Sequence, residues 1–102
     1  MVLALVLKTN GSCEKVVLYN TKDYHNQVGG CVTLLCCRRD DLTGYVNESG
    51  LEHHFPRNPW DTMIHKMGFI LCGPVYGNII LCGLDDDTDT AVPQDILDAL
   101  IR

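Results

Sequence analysis

A chain of 102 residues is one domain, long enough to bury roughly two-thirds of the surface its unfolded form exposes. Hydrophobic residues make up 46% and charged residues 21%, the composition of a globular and not a disordered chain. The formal net charge of −5 opposes a phosphate backbone, and Asp40-Asp41 cancel the adjacent pair Arg38-Arg39, so no nucleic-acid binding is expected.

Val2 to Leu7 is a β-rich apolar run and reads as a buried first strand. A signal peptide is not expected there. No basic region precedes the run, and Lys8-Thr9-Asn10-Gly11 follows it in place of a small-residue cleavage site. No stretch approaches the ~20 apolar residues of a membrane span. Asn10-Gly11 is a turn signal, and Glu14 to Tyr19 resumes as a second strand, a hairpin with a loop longer than two residues. Thr21 offers an N-cap for a short helix over Lys22 to Val28, which Gly29-Gly30 ends.

Cys31 to Cys37 is continuously apolar, so a central strand buried on both faces is expected. Arg38 to Asp41 forms a charged turn, Thr43 to Asn47 a strand, and Asn47-Glu48-Ser49-Gly50 the next turn. Leu51 to Phe55 is a short strand or irregular. Asn58 can cap a helix by accepting from the amide of Asp61 or its neighbour, with Pro59 at the first helical position and Asp61 favourable to the dipole. Trp60, Met63, Ile64 and Met67 then fall on one helical face, and Gly68 ends it. Phe69 to Cys72 and Val75 to Cys82 are strand-like, Asp85 to Thr90 reads as a solvated acidic loop, and Pro93 opens a last helix with Ile96, Leu97, Leu100 and Ile101 inward. The order β-β-α-β-β-α-β-α, with short connections, predicts an α+β domain whose mixed sheet is mostly antiparallel.

Six cysteines, without a secretory signal and mostly inside apolar runs, read as reduced thiols of an intracellular protein. No Cys-x-x-Cys pairs them for zinc, and neighbours Cys36-Cys37 or His53-His54 point apart in extended chain, so no metal is expected. Asp85, Asp87 and Asp89 alternate as in a calcium loop, but the required Gly and Glu are Thr90 and Ile96. Cys13, near Lys15, is the thiol most exposed by context, and it has no readable base. Glu48, Glu52 and Asp61 share a loop system without a sign of two different environments. No catalytic residue and no cofactor is therefore expected. Trp and Arg are the usual anchors of binding sites, and Arg57, Trp60, His53, His54, Tyr45 and Phe55 can share one rim. The periodicity of Trp60 equally fits core packing.

The sequence Val28-Gly29-Gly30, then Asn47-Glu48-Ser49-Gly50-Leu51, Pro56, Asn58 and Thr62, then Cys72-Gly73-Pro74-Val75-Tyr76-Gly77-Asn78-Ile79-Ile80, resembles a family of small domains of unknown function encoded by bacteriophages, mobile elements and large DNA viruses. The resemblance covers about Val28 to Gly83. That family often has Ala-Thr where this chain has Asp61-Thr62, so the contact of that helix turn is expected to differ. The family brings no catalytic residue to transfer. The resemblance implies a small accessory protein acting in the cytoplasm of an infected host cell.

The reading that follows is a non-enzymatic protein binding a host or viral protein, or a small-molecule ligand, through the loops around residues 47–62. Its candidate residues are Asn47, Glu48, His53, His54, Arg57, Asn58, Trp60 and Asp61. No membrane partner is expected, and self-association into a homo-oligomer is compatible with it. One alternative is a structural virion component of minor-capsid type, since an exposed strand edge suits lattice packing. A second is a small metal-binding protein or enzyme.

Overall fold

The computed structural model describes residues 1–101. Its architecture is set by two apolar runs, β1 (Val2–Leu7) and β5 (Ile79–Asp85), which lie side by side inside a six-stranded sheet. β2 (Cys13–Leu18), β3 (Val32–Leu35) and β4 (Leu42–Asn47) complete the path β2-β1-β5-β4-β3, and β6 (Thr88–Thr90) pairs with the end of β5. Every strand pairing among the described residues is antiparallel.

Successive side chains of a strand point to opposite faces. Leu5, Leu7, Ile79 and Leu81 therefore meet one core layer, and Ala4, Val6, Ile80 and Cys82 the other. The first layer is closed by Ile64 of α2 (Asp61–Lys66), by Ile96 of α3 (Gln94–Leu100), and by Phe69 and Val75. Leu97, Leu100 and Ile101 pack on it, the face expected of the last helix. The second layer is closed by Val28 and Tyr24 of α1 (Thr21–Val28). The α+β class and the mostly antiparallel sheet are as the sequence predicts.

Four elements differ from expectation. Phe69 to Cys72, expected to be strand-like, makes only an isolated bridge at Phe69. The Cys31 to Cys37 run is not central. β3 is the four-residue edge of the sheet, and Leu34 stands exposed, because β1 and β5 occupy the middle. An apolar run has the same pattern in either place; only the strand order separates them. The acidic loop contains β6: Asp85 pairs with Thr88 across Asp86 and Asp87, both at positive φ (47° and 62°), the hairpin geometry that Asp tolerates better than most residues. β5 starts at Ile79 and runs past Cys82 to Asp85, so the expected strand from Val75 is shifted.

The helix starts also move. Asn20, not Thr21, caps α1: its Oδ1 accepts from the Asp23 N–H at 3.1 Å, while Asp23 Oδ2 accepts from the Tyr19 N–H at 2.8 Å. Gly29 ends α1 at φ 79°, the left-handed turn expected of it. Pro59 and Trp60 form a turn ahead of α2, which begins at Asp61.

Candidate functional site

Three asparagines hold the loops of residues 47–78 to the sheet. Asn58 is fully buried. Its Nδ2 donates to the carbonyls of Leu7 (2.8 Å) and Gly77 (2.9 Å), and its Oδ1 accepts from the Trp60 N–H at 2.8 Å. Its own N–H donates to the Val75 carbonyl at 2.7 Å. Asn47 donates to the Val28 carbonyl at 3.1 Å and accepts from the Ser49 N–H at 2.7 Å. Asn78 donates to the Gln27 carbonyl at 3.0 Å and accepts from the Thr9 N–H at 3.2 Å. Asn47 and Asn78 thus satisfy two carbonyls at the end of α1, where a helix has no partners of its own.

The remaining candidate residues do not form one rim. Arg57 Nε donates to Asp61 Oδ2 at 3.0 Å, with the Arg exposed and the Asp carboxylate buried. This pair is the contact made by the helix turn at Asp61-Thr62. Arg57, Asp61, Thr62 and His65 line a concavity of about 340 Å³ closed by Leu71 and Pro74. His53 and His54 are exposed, and His53 stacks on Phe55 with ring centroids 5.4 Å apart. Phe55 in turn covers Gly29 and Gly77. Trp60 packs half-buried on the core, and its buried Nε1 has no hydrogen-bond partner among the described residues. Its outer side joins Pro59, Met63 and Lys66 around a hollow of about 370 Å³.

A larger concavity lies elsewhere. A groove of about 790 Å³ runs beside the β3 edge. Thr33, Leu35 and Val46 lie on its sheet side, Gly50 and Leu51 close one end, and Leu71, Pro74, Val75 and Tyr76 stand opposite. Leu51 (61% exposed) and Ile70 (52%) leave large apolar surfaces in water along it, and Leu34 (53%) is exposed at the β3 edge on the Tyr45 face. Glu48 and Glu52 also line it and are its only charged residues among those described. Of the expected site residues, Asn47 and Glu48 reach this groove; Trp60, Arg57 and the two His do not. No motif marks the groove, since it is assembled from three separated segments. Its sequence signal was limited to single apolar residues in turns.

A polar cluster sits on the opposite face of the sheet. Asp89 of β6 accepts from the hydroxyls of Tyr24 (2.8 Å) and Tyr45 (2.8 and 3.0 Å), whose rings pack edge to face at 5.3 Å. Tyr45, expected at the binding rim, is here instead. Burial and then the Asp89 bond push both tyrosine pKa values up. Burial, reinforced by the Asp89 charge, pushes the Cys82 thiol up to about 12. The cluster holds α1, β4 and β6 together.

All six cysteines are free, but Cys82 is the buried one; Cys31, Cys36 and Cys72 are exposed, against the expectation of core thiols. The edge position of β3 accounts for Cys31 and Cys36. Cys13 is only half-buried, and burial with neighbouring Glu14 raises its pKa, the opposite of an activated thiolate. Among the described residues no three His, Cys, Asp or Glu come close enough to hold a metal ion. No described helix is long and apolar enough to cross a membrane.

Fold and site together define a small α+β domain with a satisfied polar framework and one open apolar groove. The chain belongs to the family of the domain of unknown function DUF3846, whose model matches residues 2–102. The match extends well beyond Val28 to Gly83 at both ends. No curated protein and no solved structure matches the chain.

Proposed function

We propose that this domain is a non-enzymatic accessory protein that binds its ligand in the groove between the β3 edge, the turn at Asn47 to Glu52 and the segment Ile70 to Tyr76. The observation that carries this reading is the exposure of Leu51 and Ile70 along one concave, mostly apolar surface bounded by the β3 edge. Apolar groups left in water around a cavity are the usual mark of a binding site, whereas isolated ones are not. The groove uses the first half of the 47–62 loop system and leaves the Trp60 side as packing. A phage or viral setting, with a host or viral factor as the ligand, is part of the same proposal and is supported by the resemblance over Val28 to Gly83.

The test is a comparison of two variant sets of the whole chain, used as bait in host extract. Leu51→Glu with Ile70→Glu is expected to lose the factors that wild type retains. His53→Ala, His54→Ala with Trp60→Phe is expected to keep them. The reverse pattern would move the site to the Trp60 loop and reject the groove.

A further inference from the structure

One wall of this groove is a strand edge, and the chain itself shows how that edge is used. Glu48 N–H donates to the Cys31 carbonyl at 3.0 Å, so Cys31, Thr33 and Leu35 turn their peptide groups toward β4. By the same alternation, Val32 and Leu34 turn theirs outward. The next outward residue, Cys36, accepts from the Ile70 N–H at 2.9 Å, and Arg38 N–H donates to the Gly68 carbonyl at 2.9 Å. Gly68 to Ile70 therefore runs antiparallel along the continuation of β3, with Cys37 opposite Phe69. Beyond Ile70 the chain leaves the edge and becomes the far wall of the groove. Among the described residues no backbone hydrogen bond reaches the outward groups of Val32 and Leu34.

We propose that the groove takes an extended segment of a partner protein, added as a strand along Val32 to Leu35, with apolar residues at alternate positions and a Lys or Arg beside Glu48 and Glu52. This rests on the groove being the binding site. Strand addition supplies main-chain hydrogen bonds for affinity and pockets for every second side chain. The inward side chains of such a strand would fall against Thr33, Leu35 and Val46, which share one face. The basic residue follows from charge: among the described residues the lining holds two carboxylates and no Lys, Arg or His. A second copy of this chain fits less well. Its own β3 edge carries its own Gly68 to Tyr76 segment, which would meet the same segment here.

The experiment selects random displayed peptides of about nine residues, a common strand length with flanks, against the purified full chain. The best one is synthesised and titrated into isotope-labelled protein. The proposal predicts an alternating apolar consensus with a Lys or Arg. It predicts shifts along Val32 to Cys36 and Ile70 to Tyr76, and amide exchange at Leu34 slowed by at least about tenfold at saturation. Glu48→Lys with Glu52→Lys should weaken binding at least about tenfold. Leu34→Pro, which removes an outward N–H, should abolish binding while the thermal melt stays cooperative; if it does not fold, the charge-reversal variant and Leu34 exchange decide. Groove shifts with unchanged Leu34 exchange, or an acidic consensus, would overturn strand addition and leave the groove reading standing. No enriched peptide, or binding away from the groove, would reject both. Sedimentation showing that the chain pairs with itself through the groove would replace the partner by a second copy.

Discussion

The Asn58 bracket and the β3 groove lie on either side of the segment Ile70 to Tyr76 and are opposites in chemistry. Asn58 is polar, buried and fully satisfied: every donor and acceptor of its amide has a partner. Leu51 and Ile70 are apolar and exposed, and nothing in the fold covers them. A buried polar group must be hydrogen-bonded or it costs stability, so a satisfied one is explained by folding alone. An exposed apolar cluster lowers no folding free energy, so it calls for an explanation outside the fold. The conspicuous residues of the sequence belong to the first kind. The candidate binding surface is built from ordinary leucines and one isoleucine of the second.

The sharpest way to break this contrast is at the bracket. Asn58→Ala leaves the carbonyls of Leu7 and Gly77 buried without their donor, at a cost of about 3 kcal/mol in urea unfolding. A loss under ~1 kcal/mol would mean that the framework tolerates open polar groups there. Gly50 comes next. Its Cα faces the Tyr76 carbonyl so closely that a Cβ would overlap it, and Gly50→Ala should cost about 2 kcal/mol. Because Gly50 and Tyr76 both line the groove, the same variant should disturb groove binding, whereas Asn58→Ala should do so only through unfolding.

The tyrosine cluster adds a pH dependence whose sign can be worked out. The thiol of Cys82 and the hydroxyls of Tyr24 and Tyr45 have folded pKa values above their ordinary 9.0 and 10.0. The folded state therefore holds protons that the unfolded chain releases. Their contribution to stability is complete below about pH 9, and it is lost as pH rises from there toward 12. Urea midpoints should fall between pH 9 and 11, and Tyr45→Phe should flatten that fall while costing about 1 kcal/mol at pH 7. A midpoint that is level across this range would contradict the burial of the three groups. Trp60→Phe is the smaller effect. It removes packed area, but also an indole N–H that is buried without a partner among the described residues, so the two changes oppose each other. A change within about 1 kcal/mol is expected, and a loss of 3 or more, as for a fully packed Trp, would show that Nε1 has a partner.

The fold was legible where local chemistry decides it. Asn10-Gly11 turned the first hairpin, Gly29 ended α1, and the apolar face behind Pro93 docked as α3. Strand order was not legible, because the runs of β1, β3 and β5 look alike and differ only in their neighbours. That one ambiguity misplaced β3 and with it the environment of Cys31 and Cys36. The site was half legible. The Asn58 amide was expected to cap α2; its Oδ1 instead accepts from the N–H of Trp60, two residues on, within the turn ahead of the helix, and among the described residues α2 has no side-chain cap at its N-terminus. The two bonds that Asn58 donates reach 51 and 19 residues along the chain, and no local pattern carries them. Asp89 was hidden for the same reason, since its tyrosine partners are 65 and 44 residues distant.

The central claim is that the exposed apolar groove serves binding and not folding. The most direct measurement is a pair of urea curves and a pair of titrations, each comparing wild type with Leu51→Ser, Ile70→Ser, against a peptide selected on the wild-type chain. The account predicts stability within about 0.5 kcal/mol of wild type and binding weakened by at least about tenfold. Unchanged binding, or a stability loss of about 2 kcal/mol or more, would show that these residues belong to the fold.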